Sequence, residues 1–274
     1  MTNKLNLALI GYGEVGHIFA RDFLATGETN VAAYDLLFDD PSEGAARIED
    51  ARKAGVRAAK SAADAAVGAE IVISAVTAAS AATVAEEAVA YLRPGQIFFD
   101  INSASPGTKK RAAERVNASG AFYVEGAVMA PVPGPDLEVP ILAGGPTAEE
   151  ASKILNGLGM NVTPVTREPG RASAMKLCRS IMIKGIEALI IDCATAAKLW
   201  DVEDEVYASL GATFPSIDFR DLSVAMAKRV HQHGIRRAAE MREAGMMLDD
   251  LGLDGSLSRA IADAQQRGAA PKTK

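Results

Sequence analysis

The chain has 274 residues, 49% of them hydrophobic and only 5% aromatic, and carries a formal net charge of −6 at pH 7. This length provides one large domain or two ordinary ones, with a core built mainly from Ala, Leu, Ile and Val. The acidic balance and the lack of a Lys/Arg block argue against a nucleic-acid partner. We expect no membrane segment and a cytoplasmic location, because no apolar stretch is long enough for a bilayer and the N-terminus lacks a signal-peptide core.

The first half of the chain alternates predicted strands with predicted helices. The strands are expected at 4–10, 31–34, 71–76, 97–101, 122–128 and 139–143, and the helices at 15–25, 44–54, 82–92 and 106–118. Such alternation predicts a parallel sheet covered by helices on both faces. The fold class is therefore α/β, a doubly wound Rossmann-type nucleotide-binding domain.

After Pro169-Gly170 the pattern becomes helical. A long helix is predicted over 172–200, and three or more helices follow near 204–210, 221–244 and 256–267. Apolar residues repeat along the long helix at spacings of three and four, namely Met175, Cys178, Met182, Ile186, Leu189, Ile190 and Cys193. We expect a dinucleotide-binding domain over 1–166 and an all-helical domain over 167–274, joined by a long interdomain helix that starts near residue 170.

The two cysteines, Cys178 and Cys193, are both in the long predicted helix. About four helical turns separate them, so they cannot pair with each other without breaking the helix. Their spacing fits no zinc pattern, and no metal site is expected. We expect buried free thiols, which suit a reducing compartment.

A glycine-rich turn follows the first predicted strand. Its sequence, Gly11-Tyr12-Gly13-Glu14-Val15-Gly16, matches G-x-G-x-x-G and opens a predicted helix. The first glycine permits the tight turn, the second lets the backbone approach a pyrophosphate, and the third lets helix and strand pack closely. The helix N-terminus then offers N–H groups to the phosphates. The alternative is an ordinary strand–helix turn.

Asp35 ends the second predicted strand and favours NAD as the cofactor. A carboxylate there can accept hydrogen bonds from the adenosine ribose and repels the extra phosphate of NADP. Leu36 and Leu37 follow it instead of an arginine. NADP stays possible, and a strand-end Asp that only caps its loop is the alternative.

At this point the sequence resembles the β-hydroxyacid dehydrogenase family, which includes 3-hydroxyisobutyrate dehydrogenase and, more distantly, 6-phosphogluconate dehydrogenase. The resemblance covers nearly the whole chain, is strongest over 5–145, and indicates a divergent branch. Residues 9–16 look like the family's dinucleotide turn, 99–106 like its D-x-S-T-x-x-P segment, and 123–128 like F-x-D-A-P-V. Gly144-Gly145 matches a glycine pair, and Gly170 with Lys176 matches G-x-x-x-x-x-K.

The match at Lys176 implies that this lysine is the general acid and base of the reaction. Oxidation of a hydroxyl by hydride transfer needs a group that takes the hydroxyl proton, and a partly desolvated lysine can serve. The alternative is a solvated helical lysine. Lys184, two turns further along, matches no motif and is expected to be an inert comparison.

The ends of two further strands supply other candidate residues. Val76 and Thr77 are expected to touch the cofactor through backbone groups, and Asn102 to bind the cofactor. Ser103 is expected to bind substrate. Helix capping by Ser103 or Ser105 ahead of Pro106 is the alternative.

The sequence departs from the family where the substrate would bind. Met129 stands in a serine slot, and its thioether donates no hydrogen bond, which predicts a more apolar pocket. Ser180 stands in an asparagine slot one helical turn after Lys176. Arg237 lies near the slot of a family lysine and could bind a carboxylate, or it could belong to a solvated helix face.

Together these features predict an NAD(P)-dependent dehydrogenase or reductase that acts on a CH–OH group of a small 3-hydroxy acid or related alcohol/aldehyde. Two alternatives stay open, an imine reductase and a non-catalytic dinucleotide-binding module of the same fold. The expected partners are a small carboxylate-bearing substrate and a second copy of the chain, in a homodimer that buries the apolar helical faces.

Overall fold

A computed structural model describes residues 4–270 of the chain. The strands are β1 (Leu5–Ile10), β2 (Thr29–Tyr34), β3 (Arg57–Ala58), β4 (Ile71–Ser74), β5 (Ile97–Asp100), β6 (Phe122–Val128), β7 (Pro140–Gly144) and β8 (Asn161–Thr166). The helices are α1 (Glu14–Ala25), α2 (Gly44–Lys53), α3 (Ala62–Ala66), α4 (Ala78–Ala88), α5 (Pro106–Ala118), α6 (Ala148–Gly157), α7 (Arg171–Trp200), α8 (Glu203–Thr213), α9 (Phe219–Asp250) and α10 (Ser256–Arg267).

The strands form one sheet in the order β3-β2-β1-β4-β5-β6-β7-β8. Strand order reverses between β1 and β4, which is the point where doubly wound sheets bind ligands. The pairs Ile10↔Ser74, Ser74↔Asp100 and Asp100↔Glu125 align the carboxyl ends of β1, β4 and β5 with β6. The predicted α/β class and Rossmann-type sheet are confirmed.

One expectation about the sheet was wrong, because β6 and β7 pair antiparallel and the sheet is therefore not wholly parallel. The elements α6 and β8, which follow β7, were not among the predicted helices and strands. The elements β3 and α3 have too few residues to show a period, and β8 contains Pro164, which is tolerated because β8 is an edge strand.

Apolar side chains fill both faces of the sheet. One cluster packs Leu7 and Leu9 against Phe19 and Phe23 of α1. The other packs Ala8 and Ile10 of β1 with many small residues, including the alanines of α3 and α4. The strand register therefore places the carboxyl ends of the central strands beside a rigid core.

The chain divides into two compact units, the first ending at Lys176 and the second beginning at Leu177. In the second unit, α7 turns charged side chains inward. Lys184 and Glu187 are buried, whereas Met182 and Leu189 are exposed. α8 buries no residue at all.

The expectation of buried thiols was wrong, since Cys178 and Cys193 are both exposed. They lie on α7 together with its exposed apolar residues, and the face of α7 that is covered within the chain carries Lys184 and Glu187 instead. Within residues 4–270 no helix is long and apolar enough to span a membrane.

Candidate active site

The three glycines of the turn between β1 and α1 differ in whether the fold itself requires a residue without a side chain. Gly11 has φ 97°, and a Cβ there would meet the Ala75 oxygen at 2.3 Å. A Cβ on Gly16 would meet the Gly11 oxygen at 2.4 Å. A Cβ on Gly13 would meet no neighbouring atom within 4 Å, and the φ of −83° at Gly13 is ordinary. Because the fold does not require glycine at position 13, the space above it is open for a ligand.

The N-terminus of α1 faces this open space. Its N-cap is Gly13, which has no side chain to bond the first N–H groups. Those groups and the helix dipole favour an anion. Glu14, an exposed residue in the same first turn, adds a negative charge there.

Tyr12 takes part in the turn through its backbone. Its ring is buried and contacts the ring of His17, with the ring centroids 3.9 Å apart and the ring planes tilted by 32°. Burial, with a smaller contribution from Asp50, raises the pKa of Tyr12 above its ordinary value. The phenol therefore stays neutral and belongs to the core.

Asp35 fastens the end of β2 to the glycine turn. Its Oδ2 accepts the backbone N–H of Tyr12 at 2.7 Å, and its Oδ1 accepts that of Leu37 at 2.9 Å. The capping role considered for Asp35 is thus present. Each oxygen keeps a further lone pair, which can accept a hydrogen bond from a ribose hydroxyl.

Asn102 ties the ends of β4 and β5 together. Its Oδ1 accepts the N–H of Val76 at 2.6 Å, and its Nδ2 donates to Ser74 Oγ at 2.9 Å and to Asp100 Oδ1 at 2.7 Å. Both amide donors are therefore used inside the protein. This side chain holds the segment at Val76 and Thr77 in place.

A buried ion pair lies behind Asn102. Lys109 Nζ is 2.9 Å from Asp100 Oδ1, and the side chains are 0% and 3% exposed. The Tyr123 hydroxyl donates to the other oxygen of Asp100 at 2.7 Å, and burial raises the pKa of Tyr123 well above its ordinary value. Sequence reasoning missed Lys109, because a lysine in a polar helix looks solvated; Asp100 at the end of an apolar strand was the available signal.

Lys176 and Ser103 meet at the carboxyl end of the sheet. Lys176 Nζ donates to Ser103 Oγ at 2.6 Å, and both residues are half-buried. Ser105, and not Ser103, caps α5, since its hydroxyl accepts the N–H of Thr108. Lys176 and Ser103 lie far apart in sequence, and a different motif predicted each of them. The fold brings them into contact.

The start of α7 is bonded to β6. The fully buried carboxylate of Glu125 accepts the N–H of Ala172 at 3.0 Å, the N–H of Ser173 at 3.2 Å and the hydroxyl of Ser173 at 2.6 Å. The Gly170 turn before the helix has φ 93°. A Cβ on Gly144 would lie 2.6 Å from Glu125 Oε1, so glycine there makes room for the carboxylate. No local sequence signal indicates this role for Glu125.

Met129 lies just beyond β6, where its N–H donates to the Pro140 carbonyl at 2.9 Å. Its side chain is half-buried. The structure thus provides a thioether at this position. Within residues 4–270 no group of three or more His, Cys, Asp or Glu could hold a metal ion.

Ser180 and Lys184 form a buried polar pair in the second unit. Lys184 Nζ donates to Ser180 Oγ at 3.0 Å and to Glu240 Oε2 at 2.6 Å. Burial lowers the pKa of Lys184, and the nearby Glu240 opposes the shift. The expectation that Lys184 is an inert comparison was wrong, because its side chain is 5% exposed and its ammonium is paired.

Arg237 lies in a second charged cluster of the same unit. Glu187, fully buried, pairs with both Arg229 and Arg237, and Arg237 Nε also donates to Gln265 at 3.3 Å. The side chain of Arg237 is 14% exposed. The alternative of a solvated helix face is therefore wrong for Arg237.

Comparison with protein families covers both units. Residues 6–166 match the NAD binding domain of 6-phosphogluconate dehydrogenase, and residues 197–268 match a domain of unknown function, DUF1932. An uncharacterized 28.5 kDa protein of Methanothermus fervidus is 27% identical over 239 residues, which are 87% of this chain and 89% of that protein.

Solved structures extend the comparison. A conserved hypothetical protein from Sinorhizobium meliloti 1021 is 38% identical with a TM-score of 0.83, over 97% of this chain and 88% of that one. The conserved protein MTH1747, of unknown function and structurally similar to 3-hydroxyacid dehydrogenases, is 32% identical with a TM-score of 0.76, over 96% and 98%. A 3-hydroxyisobutyrate dehydrogenase of Mycobacterium tuberculosis shares the fold at 14% identity and a TM-score of 0.76, over 96% and 93%. The chain belongs to the β-hydroxyacid dehydrogenase family, in a divergent branch that joins the NAD binding domain of 6-phosphogluconate dehydrogenase to a DUF1932 domain.

Proposed function

We propose that this protein is an NAD(P)-dependent oxidoreductase that interconverts a small 3-hydroxy acid, or a related alcohol, and its carbonyl partner, with Lys176 as general acid and base. The observation that carries the proposal is the 2.6 Å contact between Lys176 Nζ and Ser103 Oγ. It lies at the carboxyl end of the sheet, the edge at which this fold binds ligands.

The residues at the glycine turn fit a dinucleotide. Gly13 leaves space above the N-terminus of α1, and Asp35 lies beside the turn at the end of β2. When bound, the nicotinamide would accept or supply a hydride. The carboxylate of Asp35 favours NAD, since a ribose phosphate beside it would be repelled.

Lys176 would move the proton that accompanies the hydride. In the oxidation direction its neutral amine takes the proton of the substrate hydroxyl, and in the reduction direction its ammonium returns that proton to the oxygen. Ser103 accepts a hydrogen bond from Nζ and so limits the positions that the amine can occupy. A fixed amine raises the rate because the reacting atoms need no further ordering.

Ser180 and Arg237 of the second unit stay candidates for binding the substrate carboxylate, as the sequence predicts. Met129 stays the candidate for an apolar contact with the substrate.

The direct test is a titration of the purified protein with NADH and with NADPH, followed by a turnover screen. Saturable NADH binding together with turnover of a hydroxy acid or its carbonyl partner supports the proposal. Turnover of cyclic imines alone would instead indicate an imine reductase. Tight dinucleotide binding without any turnover would indicate a non-catalytic binding module.

We also propose that the chain forms a homodimer through the apolar side chains exposed on its helical unit. Leu189, Leu199 and Trp200 of α7 are 73%, 82% and 80% exposed, and α8 buries no residue. Met182 of α7 and Val224 of α9 are likewise exposed, at 63% and 68%. Sedimentation velocity should give a dimer for the wild type, and Trp200→Glu should shift it towards monomer. A monomeric wild type would contradict the proposal.

The cysteines favour a cytoplasmic location. Cys178 and Cys193 are free and exposed thiols. Such thiols persist in a reducing compartment and oxidise outside it. Location by fractionation, with the thiol state measured in each fraction, would test this point.

A further inference from the structure

Glu125 is a fully buried carboxylate that accepts its hydrogen bonds from the first turn of α7. The donors are the backbone N–H groups of Ala172 and Ser173 and the hydroxyl of Ser173. We infer that Glu125 is a positioning residue, which sets the place of the Lys176 ammonium by fixing the first turn of the helix that carries it. The inference rests on the proposed role of Lys176.

Helix geometry connects the two residues. The first N–H groups of an α-helix have no acceptor within the helix, so an outside acceptor decides where the helix begins and how it points. Ala172 and Ser173 are such positions in α7, which starts at Arg171. Lys176 follows Ala172 by about one turn, so a shift of the bonded turn moves the lysine with it.

The charge of Glu125 is suited to this task. Asp100, its register partner on β5, is neutralised by Lys109 at 2.9 Å. Glu125 makes no ion pair within residues 4–270, so the N-terminal dipole of α7 and the three donated bonds are what compensate its charge there. A buried carboxylate without such donors would be strongly destabilising. The carboxylate and the helix start therefore require each other.

The surrounding backbone makes room for this contact. Gly144 on β7 would place a Cβ 2.6 Å from Glu125 Oε1, and Gly170, at φ 93°, would place one 2.9 Å from the Pro106 carbonyl. The partner of Lys176 is fixed independently, since Ser103 directly follows Asn102 and its network with Asp100. Loss of Glu125 should therefore move Lys176 and leave Ser103 in place.

The test compares Glu125→Gln with the matched surface variant Glu138→Gln. Gln keeps the shape and one acceptor oxygen but loses the charge and turns an NH2 group towards one set of the donors at the start of α7. The readout that needs no substrate is the rate of labelling of Lys176 by acetic anhydride at one alkaline pH, followed by peptide mass spectrometry, with the exposed Lys153 of α6 as the internal reference. In the wild type Lys176, which is half-buried and bonded to Ser103, should be labelled more slowly than Lys153. In Glu125→Gln the ratio of the two rates should change by at least about threefold, because the displaced lysine loses its fixed contact with Ser103.

Turnover gives the second readout. Glu125→Gln should lower kcat by on the order of tenfold or more. It should leave the dinucleotide Kd within about twofold of the wild type, because the glycine turn lies between β1 and α1 and Glu125 is on β6. Ser173→Ala removes one donated bond and keeps the carboxylate, so it should give a smaller change in the labelling ratio if Glu125→Gln does not fold. A changed labelling ratio in a protein without turnover would support the positioning role and contradict the proposed function. An unchanged Lys176 labelling ratio in both variants would overturn the inference, whatever happens to the melting temperature.

Discussion

Lys176 Nζ lies 2.6 Å from Ser103 Oγ. A different buried carboxylate bonds the backbone segment that carries each of these two residues. Asp100 bonds Asn102, which directly precedes Ser103. Glu125 bonds the first turn of α7, which carries Lys176. Asp100 and Glu125 are register partners on β5 and β6, so two neighbouring strands carry the carboxylates that bond these two segments.

At Gly13 of the glycine turn, an effect on dinucleotide binding can be separated from an effect on stability. Gly13→Ala should leave the free energy of unfolding within about 1 kcal/mol of the wild type, because a Cβ there meets nothing. The same methyl group would stand where the pyrophosphate must approach the helix, so the Kd for NADH should rise by on the order of tenfold or more. Fluorescence titration and urea unfolding measure the two effects.

Gly16→Ala is the matched control for that experiment. Its Cβ would meet the Gly11 oxygen at 2.4 Å, so this variant should lose stability by about 2 kcal/mol or more. If Gly13→Ala bound NADH as tightly as the wild type, the open space above α1 would not be the phosphate site.

Glu14 should weaken dinucleotide binding in the wild type. It is an exposed carboxylate in the first turn of α1, where the pyrophosphate would lie, and like charges repel. Glu14→Gln should therefore lower the Kd for NADH by about two- to fivefold at low salt, and the gain should shrink as salt rises. Calorimetry at two ionic strengths measures it, with Glu28→Gln as the surface control. An unchanged Kd at low salt would show that the carboxylate points away from the ligand.

The sequence predicted those parts of the fold that have a periodic apolar pattern or a glycine or proline at their boundary. The apolar run into Gly11, the helix that starts at Pro106 and the helical second half all have local signals, and the structure contains them. The antiparallel β7 and the short β3 have none, because pairing direction depends on distant parts of the chain.

The candidate site was predictable only one residue at a time. Lys176 and Ser103 could be chosen separately, but their contact joins residues far apart in sequence. Lys109 and Lys184 looked like surface lysines, because burial of a charge depends on a partner such as Asp100 or Glu240 that no local pattern reveals.

Lys184 should matter for stability. Lys184→Met keeps the apolar stem but removes the ammonium from Glu240, so the free energy of unfolding should fall by about 3 kcal/mol, and adding Glu240→Leu should recover much of that loss. Urea unfolding of the single and double variants measures both effects, and Lys153→Met is the surface control. Equal stability of wild type and Lys184→Met would contradict a stabilising role for this pair.

The pH dependence of that difference has a definite sign. The folded pKa of Lys184 is lowered, chiefly by burial, so above it the unfolded chain binds more protons than the folded one. Wild-type stability relative to Lys184→Met should therefore increase as pH rises through the lowered folded value towards about 10.4, the unfolded value, and be flat below that window. A relative stability that falls over the same alkaline range would contradict the burial of this ammonium.

Transfer of the reaction's proton by Lys176 is tested most directly by kcat of Lys176→Ala beside Lys153→Ala, a change at an exposed lysine of the same unit. We predict that Lys176→Ala loses on the order of 10²-fold or more in kcat while its NADH Kd stays within about twofold of the wild type, and that Lys153→Ala is close to wild type in both. A Lys176→Ala protein that keeps wild-type kcat would contradict the proposed role of this lysine.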